Sequence, residues 1–353
     1  MASIFQEDVK SIADNLGKDA HRFAGKTVLI SGGAGFLGRY FIGLFKYLNA
    51  HVLKKPVHVI SVDNFITGSV DPNMEHDPNI VHVWADVVHP VPIRKDIHFI
   101  IHAAGIASPV YYMQYPLETI ESAVVGVRNL LELARKNKKL EGFLFFSSSE
   151  IYGDPDPRFV PTPETYHGHV SSVGPRACYD ESKRLGETIS TIYHQQFKIP
   201  VTIVRPFNIF GPGMTHNDRR VVPMFAYQAL NKTPIPVHGD GTQTRTFCYI
   251  TDAITGFILV LLKGKAGEPY NIGNADSEIS MRDLAALFTK LVPGSSYKMV
   301  KYPDTYPAGE PQRRCPDLSK AEKHLGYRYH IDLESGLRRF LKWTKGEGKY
   351  KKK

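Results

Sequence analysis

Along the first 205 residues, short apolar runs alternate with stretches whose apolar positions recur every three or four residues. Val28-Leu29-Ile30, Val57-His58-Val59-Ile60-Ser61-Val62 and the stretches 80–87, 98–105, 142–150 and 201–205 read as six strands. Helical spacing continues through Phe41, Ile42, Leu44 and Phe45, then through Leu117, Ile120, Val124, Val127, Leu130, Leu131 and Ala134 in 117–136, and again over 176–197. Strands without clean alternation, each followed by a helix, predict an α/β fold with a doubly wound parallel sheet of Rossmann type. In such a sheet ligands lie outside the carboxyl ends of the strands, so the polar strand ends of this chain face one crevice.

Outside this block the pattern changes. Ile4, Phe5, Val9, Ile12, Ala13 and Leu16 predict a short amphipathic helix ending near Gly17, packed on the surface or on a neighbouring subunit. Residues 153–175 form a long segment rich in Pro, His and Gly, and a loop of that length is more often functional than idle. From Pro206 onward short helices, glycine turns and short strands predict a smaller, partly discontinuous C-terminal substrate lobe. Some of its elements return to the sheet: a strand at 269–273 and helices at about 280–292 and 332–344. The expected divisions are an N-terminal extension (1–25), a dinucleotide-binding domain (26–205), the substrate lobe (206–344) and a basic tail (345–353).

Composition narrows the functional classes. The chain has 353 residues and a formal net charge of +9, part of it from the lysines of the tail. The remaining excess suits an anionic small substrate; no nucleic-acid motif accompanies it. No apolar run reaches the roughly 18 residues of a membrane helix, and the first 25 residues lack the apolar core of a secretory signal. The cysteines, Cys178, Cys248 and Cys315, are dispersed and form no metal-ligand pair. They fit a reducing compartment, so a cytoplasmic protein without a metal, a membrane or a nucleic-acid partner is expected.

The chemistry begins at Thr27-Val28-Leu29-Ile30-Ser31-Gly32-Gly33-Ala34-Gly35-Phe36-Leu37-Gly38. A buried strand runs into glycines spaced three apart and then into a helix. Such a turn lets a pyrophosphate approach the N–H groups of the helix start; a tight turn with no ligand is the alternative. Asp63, at the end of the next strand, suits ribose hydroxyls and repels a 2′-phosphate, which favours NAD over NADP. Asp86, ending the third strand, can accept a hydrogen bond from an adenine amino group. Ala103, Ala104 and Gly105 leave room for a cofactor across the strand ends. Tyr179 and Lys183 stand four apart, on one face of a helix. A lysine ammonium beside a tyrosine lowers the phenol pKa, and such a tyrosine can take a proton from a substrate hydroxyl. A solvated surface pair is the alternative.

The glycine turn, Asp63, the Ser147–Glu150 strand end and Tyr179/Lys183 resemble the extended short-chain dehydrogenase/reductase family, whose members act on nucleotide sugars. Ser148-Ser149-Glu150-Ile151-Tyr152-Gly153-Asp154-Pro155, Gly174-Pro175-Arg176-Ala177-Cys178-Tyr179-Asp180-Glu181, Phe207-Asn208-Ile209-Phe210-Gly211-Pro212 and Gln312-Arg313-Arg314-Cys315-Pro316-Asp317 are similar to the UDP-glucuronate decarboxylases within it. The similarity covers nearly the whole chain, from about residue 26 to 341. It implies oxidation of the hexuronic acid at C4 with Tyr179 as base, loss of the C5 carboxylate from the 4-keto intermediate, and return of hydride from a cofactor that stays bound. It implies that Phe36, Leu37, Asn64, Phe65, Thr67, Gly68, Val87, Ser122 and Ile209 join Gly32, Gly35, Asp63, Asp86, Ala103, Ala104, Gly105, Tyr179 and Lys183 around NAD. It gives Ser148 the 4-oxygen, Glu150 acid/base or positioning work near C5, and Arg314 the substrate carboxylate. Ser149, Asn208, Arg220 and Arg245 complete the substrate site, and a homodimer pairs the 117–136 and 176–197 helices.

Two positions depart from the pattern. Glu121 stands where the family generally has a lysine close to the substrate, and an unpaired glutamate there repels a uronate. Cys315 replaces a usual lysine. A 4-epimerase or a 4,6-dehydratase is the alternative on this scaffold, although dehydratases carry an Asp where Ser149 stands. A non-catalytic NAD- or RNA-binding module is the alternative of another class.

Overall fold

The computed structural model describes residues 3–68, 77–93, 95–214, 219–302 and 311–346. Its centre is a seven-stranded sheet, parallel throughout. Six strands come in the expected order: β1 (Thr27–Ser31), β2 (His58–Asp63), β3 (Ile80–Trp84), β4 (Phe99–His102), β5 (Gly142–Phe146) and β6 (Val201–Pro206). The seventh, Pro269–Ile272, returns from the C-terminal half to pair with β6. Across the sheet the order is β3-β2-β1-β4-β5-β6 and then the seventh strand. The chain reverses direction beside β1, which pairs with β2 on one side and β4 on the other. That switch point opens the crevice where a doubly wound sheet binds its ligand.

Period-two strand geometry divides the core into two layers. Val28, Ile30, Phe99, Ile101, Leu144 and Phe146 pack with the helices Phe36–His51 and Ile250–Lys263. Leu29, Ile100, Phe143, Phe145, Val201 and Ile203 pack with the helix Val127–Lys136 and with Tyr193 of the helix Ala177–Phe197. The helix Ile250–Lys263 is buried along nearly its whole length. Such a helix lacks the polar stripe that marks an amphipathic one, which is why periodicity did not mark it.

The N-terminal helix, Ile4–Leu16, belongs to this core rather than to the surface or a neighbouring subunit. A capping box starts it: Ser3 Oγ accepts from the Gln6 N–H at 3.2 Å and Gln6 Oε1 from the Ser3 N–H at 3.0 Å. Ile4, Val9, Ile12 and Leu16 are buried. Asp8 is fully buried and accepts from Tyr249 Oη at 2.8 Å and Arg339 Nη2 at 2.7 Å. The helix therefore clasps the last one, Leu333–Gly346. That last helix includes Lys345, so the expected tail starts later than 345; residues 347–353 lie outside the described residues.

The 117–136 stretch is not one uniform helix. It runs Pro116–Glu121, then a π turn Ser122–Gly126, then Val127–Lys136. His102 explains how the π turn is held. Its Nδ1 lies 2.7 Å from Ser31 Oγ and its Nε2 3.2 Å from the Ser122 carbonyl oxygen, tying the widened turn to β1 and β4.

Past β6, the helices Val221–Leu230 and Met281–Leu291 flank a parallel pair, Ile235–His238 with Tyr297–Val300. A three-stranded ribbon sets Thr244–Arg245 between Ile279–Ser280 and Arg313–Arg314. Its register places Arg314 opposite Arg245.

Candidate active site

The glycine turn forms where β1 meets its helix. Gly32 has φ 77°, and a Cβ there would stand 2.7 Å from the Ala104 nitrogen. A Cβ on Gly38 would stand 2.1 Å from the Gly32 carbonyl oxygen. Glycine at these two places lets the turn, the helix and the end of β4 converge. Asp63 fixes the same turn: Oδ2 accepts from the Ala34 N–H at 2.9 Å and Oδ1 from the Phe65 N–H at 2.8 Å. Asn64 Nδ2 donates to Asp86 Oδ2 at 2.8 Å, joining the ends of β2 and β3.

A smaller cavity of about 90 Å³ is lined by Gly32, Gly35, Asp63, Asn64, Thr67, Gly68, Asp86, Val87, Ala103, Ala104, Gly105 and Ser122. Glu118 and Glu121 line it as well. Glu121 lines this cavity and not the one that holds Glu150 and Arg314. Phe65 lines neither cavity; its ring packs edge-on against Trp84, with centroids 5.3 Å apart. Its part in the turn is the backbone N–H given to Asp63.

The larger cavity, about 750 Å³, is of a size that holds a small-molecule ligand. Phe36, Leu37, Ala103, Gly105 and Ile209 line one side of it. Ser148, Ser149, Glu150, Tyr179, Lys183, Asn208, Arg220, Arg245 and Arg314 line the rest. The two cavities share Ala103 and Gly105, so residues expected from distant parts of the chain surround one continuous crevice.

Tyr179 and Lys183 lie in the first turns of the helix Ala177–Phe197. Lys183 Nζ sits 5.8 Å from the centre of the Tyr179 ring and donates to the Phe146 carbonyl oxygen at 2.8 Å. Burial pulls its pKa down to about 8. Burial likewise pushes the Tyr179 phenol up to about 12, against the hydrogen bond it shares with Ser148. The expected lowering of the phenol pKa is therefore not what this geometry gives. Desolvation outweighs it, and the ammonium is spent partly on a backbone carbonyl. Tyr112, which the sequence did not single out, stacks on Tyr179 with centroids 5.4 Å apart and fixes the ring plane.

After β5, Ser148 caps a 3-10 turn, Ser149–Tyr152, by accepting from the Glu150 N–H at 3.2 Å. The turn aims Glu150 at two arginines. Arg314 donates through Nη1 to Glu150 Oε1 and through Nη2 to Oε2, the latter at 2.6 Å; Arg176 Nη2 also donates to Oε2. Burial alone raises the Glu150 pKa, but Arg314, Arg176 and Arg245 overcome it and hold the carboxyl down at about 2. It is an anion at neutral pH.

The long segment after Glu150 explains how Arg314 is placed. Thr162 N–H donates to the Cys315 carbonyl oxygen at 2.8 Å, Asp317 N–H to the Thr162 carbonyl oxygen at 3.0 Å, and Gln312 N–H to Asp154 Oδ1 at 2.8 Å. Cys315 is buried, its thiol pushed up to about 11, mainly by burial. It therefore does not act where a lysine would. Asn208, at φ 42°, donates through Nδ2 to the Thr246 carbonyl oxygen at 2.9 Å. Arg245 Nη1 donates to the Thr244 carbonyl oxygen at 2.7 Å. Sequence reasoning gave no role to Arg176 and Asp180. Both lie within the quoted Arg176–Glu181 motif, and their charges four apart were the available signal.

The residues present fit a dinucleotide. Gly32 and Gly105 leave backbone bare where a Cβ on Gly32 would meet Ala104 and one on Gly105 would stand 3.2 Å from Lys183 Nζ. The buried Ser147 Oγ has no protein partner, and Lys183 keeps donors beyond the one given to Phe146.

A family model described as "NAD dependent epimerase/dehydratase family" matches residues 28–273. UDP-glucuronic acid decarboxylase 4 of Arabidopsis thaliana is 39% identical over 88% of this chain and 66% of its own length. UDP-glucuronic acid decarboxylase 1 of Xenopus tropicalis is 39% identical over 91% of this chain and 73% of its own. The chain thus spans about two thirds to three quarters of the length of these two relatives. Among solved structures, an epimerase of Methanothermobacter thermautotrophicus aligns with a TM-score of 0.80 at 26% identity, covering 95% of each chain. The dTDP-glucose 4,6-dehydratase of Streptomyces venezuelae, with NAD bound, aligns with a TM-score of 0.77 at 25% identity over 90% of this chain and 97% of its own. A Rossmann sheet with a glycine turn, a Tyr/Lys pair and these matches lead to one assignment: the chain belongs to the NAD-dependent epimerase/dehydratase family, the extended short-chain dehydrogenase/reductases.

Proposed function

We propose that the protein is a UDP-glucuronate decarboxylase that forms UDP-xylose and CO2. The observation that carries this reading is Glu150, held as an anion by Arg314 and Arg176 on the wall that also bears Tyr179. The decarboxylase relatives support the same substrate, a uronic acid on a uridine diphosphate.

Bound in the glycine-turn crevice, NAD, the cofactor of the family, would supply reversible hydride transfer at C4 of the sugar. Gly32 and Gly35 would hold its pyrophosphate, Asp63 its adenosine ribose and Lys183 its nicotinamide ribose. Tyr179 Oη takes the C4 hydroxyl proton as a phenolate, a form that the Lys183 ammonium and the positive charge of an oxidised nicotinamide would favour against the burial that raises its pKa in the free protein. Ser148, which already shares a hydrogen bond with that phenol, steadies the 4-oxygen. The resulting 4-keto sugar is a β-keto acid, so the bond to the C5 carboxylate breaks and its electrons flow toward the 4-oxygen. Ser148 and Tyr179 stand where that negative charge gathers. Arg314 receives the carboxylate before it leaves through the N–H groups that it does not give to Glu150, its Nε among them. Glu150 positions Arg314 and assists proton delivery at C5. Asn208, Arg220 and Arg245 bind the diphosphate and base. A keto intermediate retained in the crevice would be reduced there, which would leave the cofactor ready for another turnover.

A 4,6-dehydratase is disfavoured at one position. Expelling a 6-hydroxyl needs an acid beside Glu150, and Ser149 stands there, buried. The enzyme acts in the cytoplasm as a homodimer: Leu117, Ile120 and Val125 near one helix and Leu185, Ile192 and Phe197 on the other expose apolar side chains that a second copy would cover. No helix among the described residues is long and apolar enough to cross a membrane. Incubation with UDP-glucuronate and trapping of released CO2 tests the activity; intact substrate with no gas evolved contradicts it.

A further inference from the structure

Glu150, Asp180, Arg176 and Arg314 form one linked set of charges on the cavity wall. Arg314 occupies both Glu150 oxygens; Arg176 donates to Glu150 Oε2 and also brings Nε to 3.6 Å from Asp180 Oδ2. Two carboxylates thus face two guanidiniums. Asp180 is 7% exposed, and its Oδ1 is buried without a hydrogen-bond donor. Arg314 is 3% exposed and its Nε is also unpartnered. The set is therefore enclosed, and one donor and one acceptor in it stand unused.

The uronate reading brings a third carboxylate to Arg314, while the diphosphate draws on Arg220 and Arg245. Bringing another anion into an enclosed site without a compensating charge is costly. The titratable and charged groups around Asp180 are Arg176, Cys178 and Tyr179 from its own helix and the approach to it, Glu150 from the turn after β5 and Arg314 from the C-terminal ribbon. Glu150 is pinned by three donors from two arginines, whereas Asp180 is held less closely, by Arg176 at 3.6 Å, and keeps one bare oxygen. A proton finds its place on Asp180.

We propose that binding of the acidic sugar drives one proton from solvent onto the Asp180 carboxylate, so that Asp180 is the residue that adjusts the charge of the site to a uronate. The proposal rests on the uronate reading. Asp180 acts as a positioning residue: its own charge decides how far the Arg176 guanidinium is shared between Asp180 and Glu150. Burial first, then Glu150, pushes its carboxyl up to about 7 against Arg176 and Arg314, so a modest added negative potential protonates it. Uptake should approach one proton per site about a unit above that value and vanish about two units below it, where the free protein already holds the proton.

The test uses protein loaded with NADH, which cannot accept a hydride, so that UDP-glucuronate binds without turnover. Titration calorimetry in buffers of different ionisation heat counts protons; UDP-glucose is the uncharged-sugar control. The expected result is uptake with UDP-glucuronate, none with UDP-glucose, and none with either ligand in Asp180→Asn. In the active enzyme the same variant should flatten the pH profile of KM for UDP-glucuronate more than that of kcat. Equal proton counts for the two sugars in the unaltered protein, or uptake that persists in Asp180→Asn, overturns the proposal. Failure of the uronate reading shows separately, as absence of CO2 from the NAD-loaded enzyme.

Discussion

Arg314 holds Glu150 with both of its terminal nitrogens, across 164 positions of sequence. The pair joins the end of β5 to a ribbon in the C-terminal half, so one side-chain contact closes the active site between the sheet and the substrate lobe. Arg314→Met removes the two-pronged partner and leaves Glu150 with Arg176 alone. Breaking a buried pair from one side costs about 3–5 kcal/mol, and the remaining arginine should keep the loss near the lower end. Chemical denaturation checks this. The double variant Arg314→Met/Glu150→Gln should regain part of the loss, since the uncompensated charge is then gone.

Tyr179→Phe removes the proposed base but keeps the ring stacked on Tyr112. Turnover should fall by roughly 10²–10⁴-fold. NAD content after purification should stay unchanged, because Lys183 and the glycine turn remain. Retained turnover would remove Tyr179 from its role.

Stability should follow pH in two limbs of opposite sign. Asp180 holds its proton up to about 7 in the folded protein against an ordinary 3.8, so folding binds a proton between these values and stability falls as pH rises through that window. Glu150, held at about 2 against 4.5, stabilises above 4.5, and that contribution is lost as pH falls toward 2. Denaturant midpoints across the range should show both limbs. In Asp180→Asn the falling limb should lose its upper part, leaving the part below about 6 that belongs to Asp252, whose carboxyl burial also raises, and the acid limb should persist.

Much of this site was legible in the sequence, for identifiable reasons. Gly32, Asp63, Tyr179 and Lys183 act through local geometry, a turn or one face of a helix, and local geometry is written in short spacings. The Glu150–Arg314 contact was reachable only through the motif resemblance, because its distance in sequence is large. Asp180 and Arg176 stood in plain view, but charges four apart on a helix are ordinary until burial makes them consequential. An amphipathic pattern suits a helix packed on the surface or on a neighbouring subunit; here the apolar stripe is covered by the chain's own core, and buried Asp8 is matched by Arg339 from the far end of the sequence. The phenol pKa went the other way from the expectation because desolvation, which no spacing encodes, is the largest influence on Tyr179.

Gly32→Ala should damage cofactor retention. The added methyl meets the Ala104 backbone at 2.7 Å and φ is 77°, where a side chain costs about 1–2 kcal/mol before any clash. The purified variant should carry less NAD, read by absorbance after denaturation, and melt at a lower temperature.

Glu121→Lys tests the division between the two cavities. Four carboxylates, Asp63, Asp86, Glu118 and Glu121, line the smaller one. A lysine there should slow NAD dissociation, and KM for the nucleotide sugar should change less than twofold. A large change in KM would return position 121 to the sugar site.

Decarboxylation is separated from dehydration by offering the NAD-loaded protein UDP-glucuronate labelled with carbon-13 at C6, beside UDP-glucose and dTDP-glucose, with no other cofactor added. The label should leave as CO2 in a one-to-one ratio with UDP-xylose, and the two neutral sugars should not be dehydrated. Label retained in the sugar, or a 4-keto-6-deoxy product from either glucose nucleotide, would contradict the decarboxylase reading.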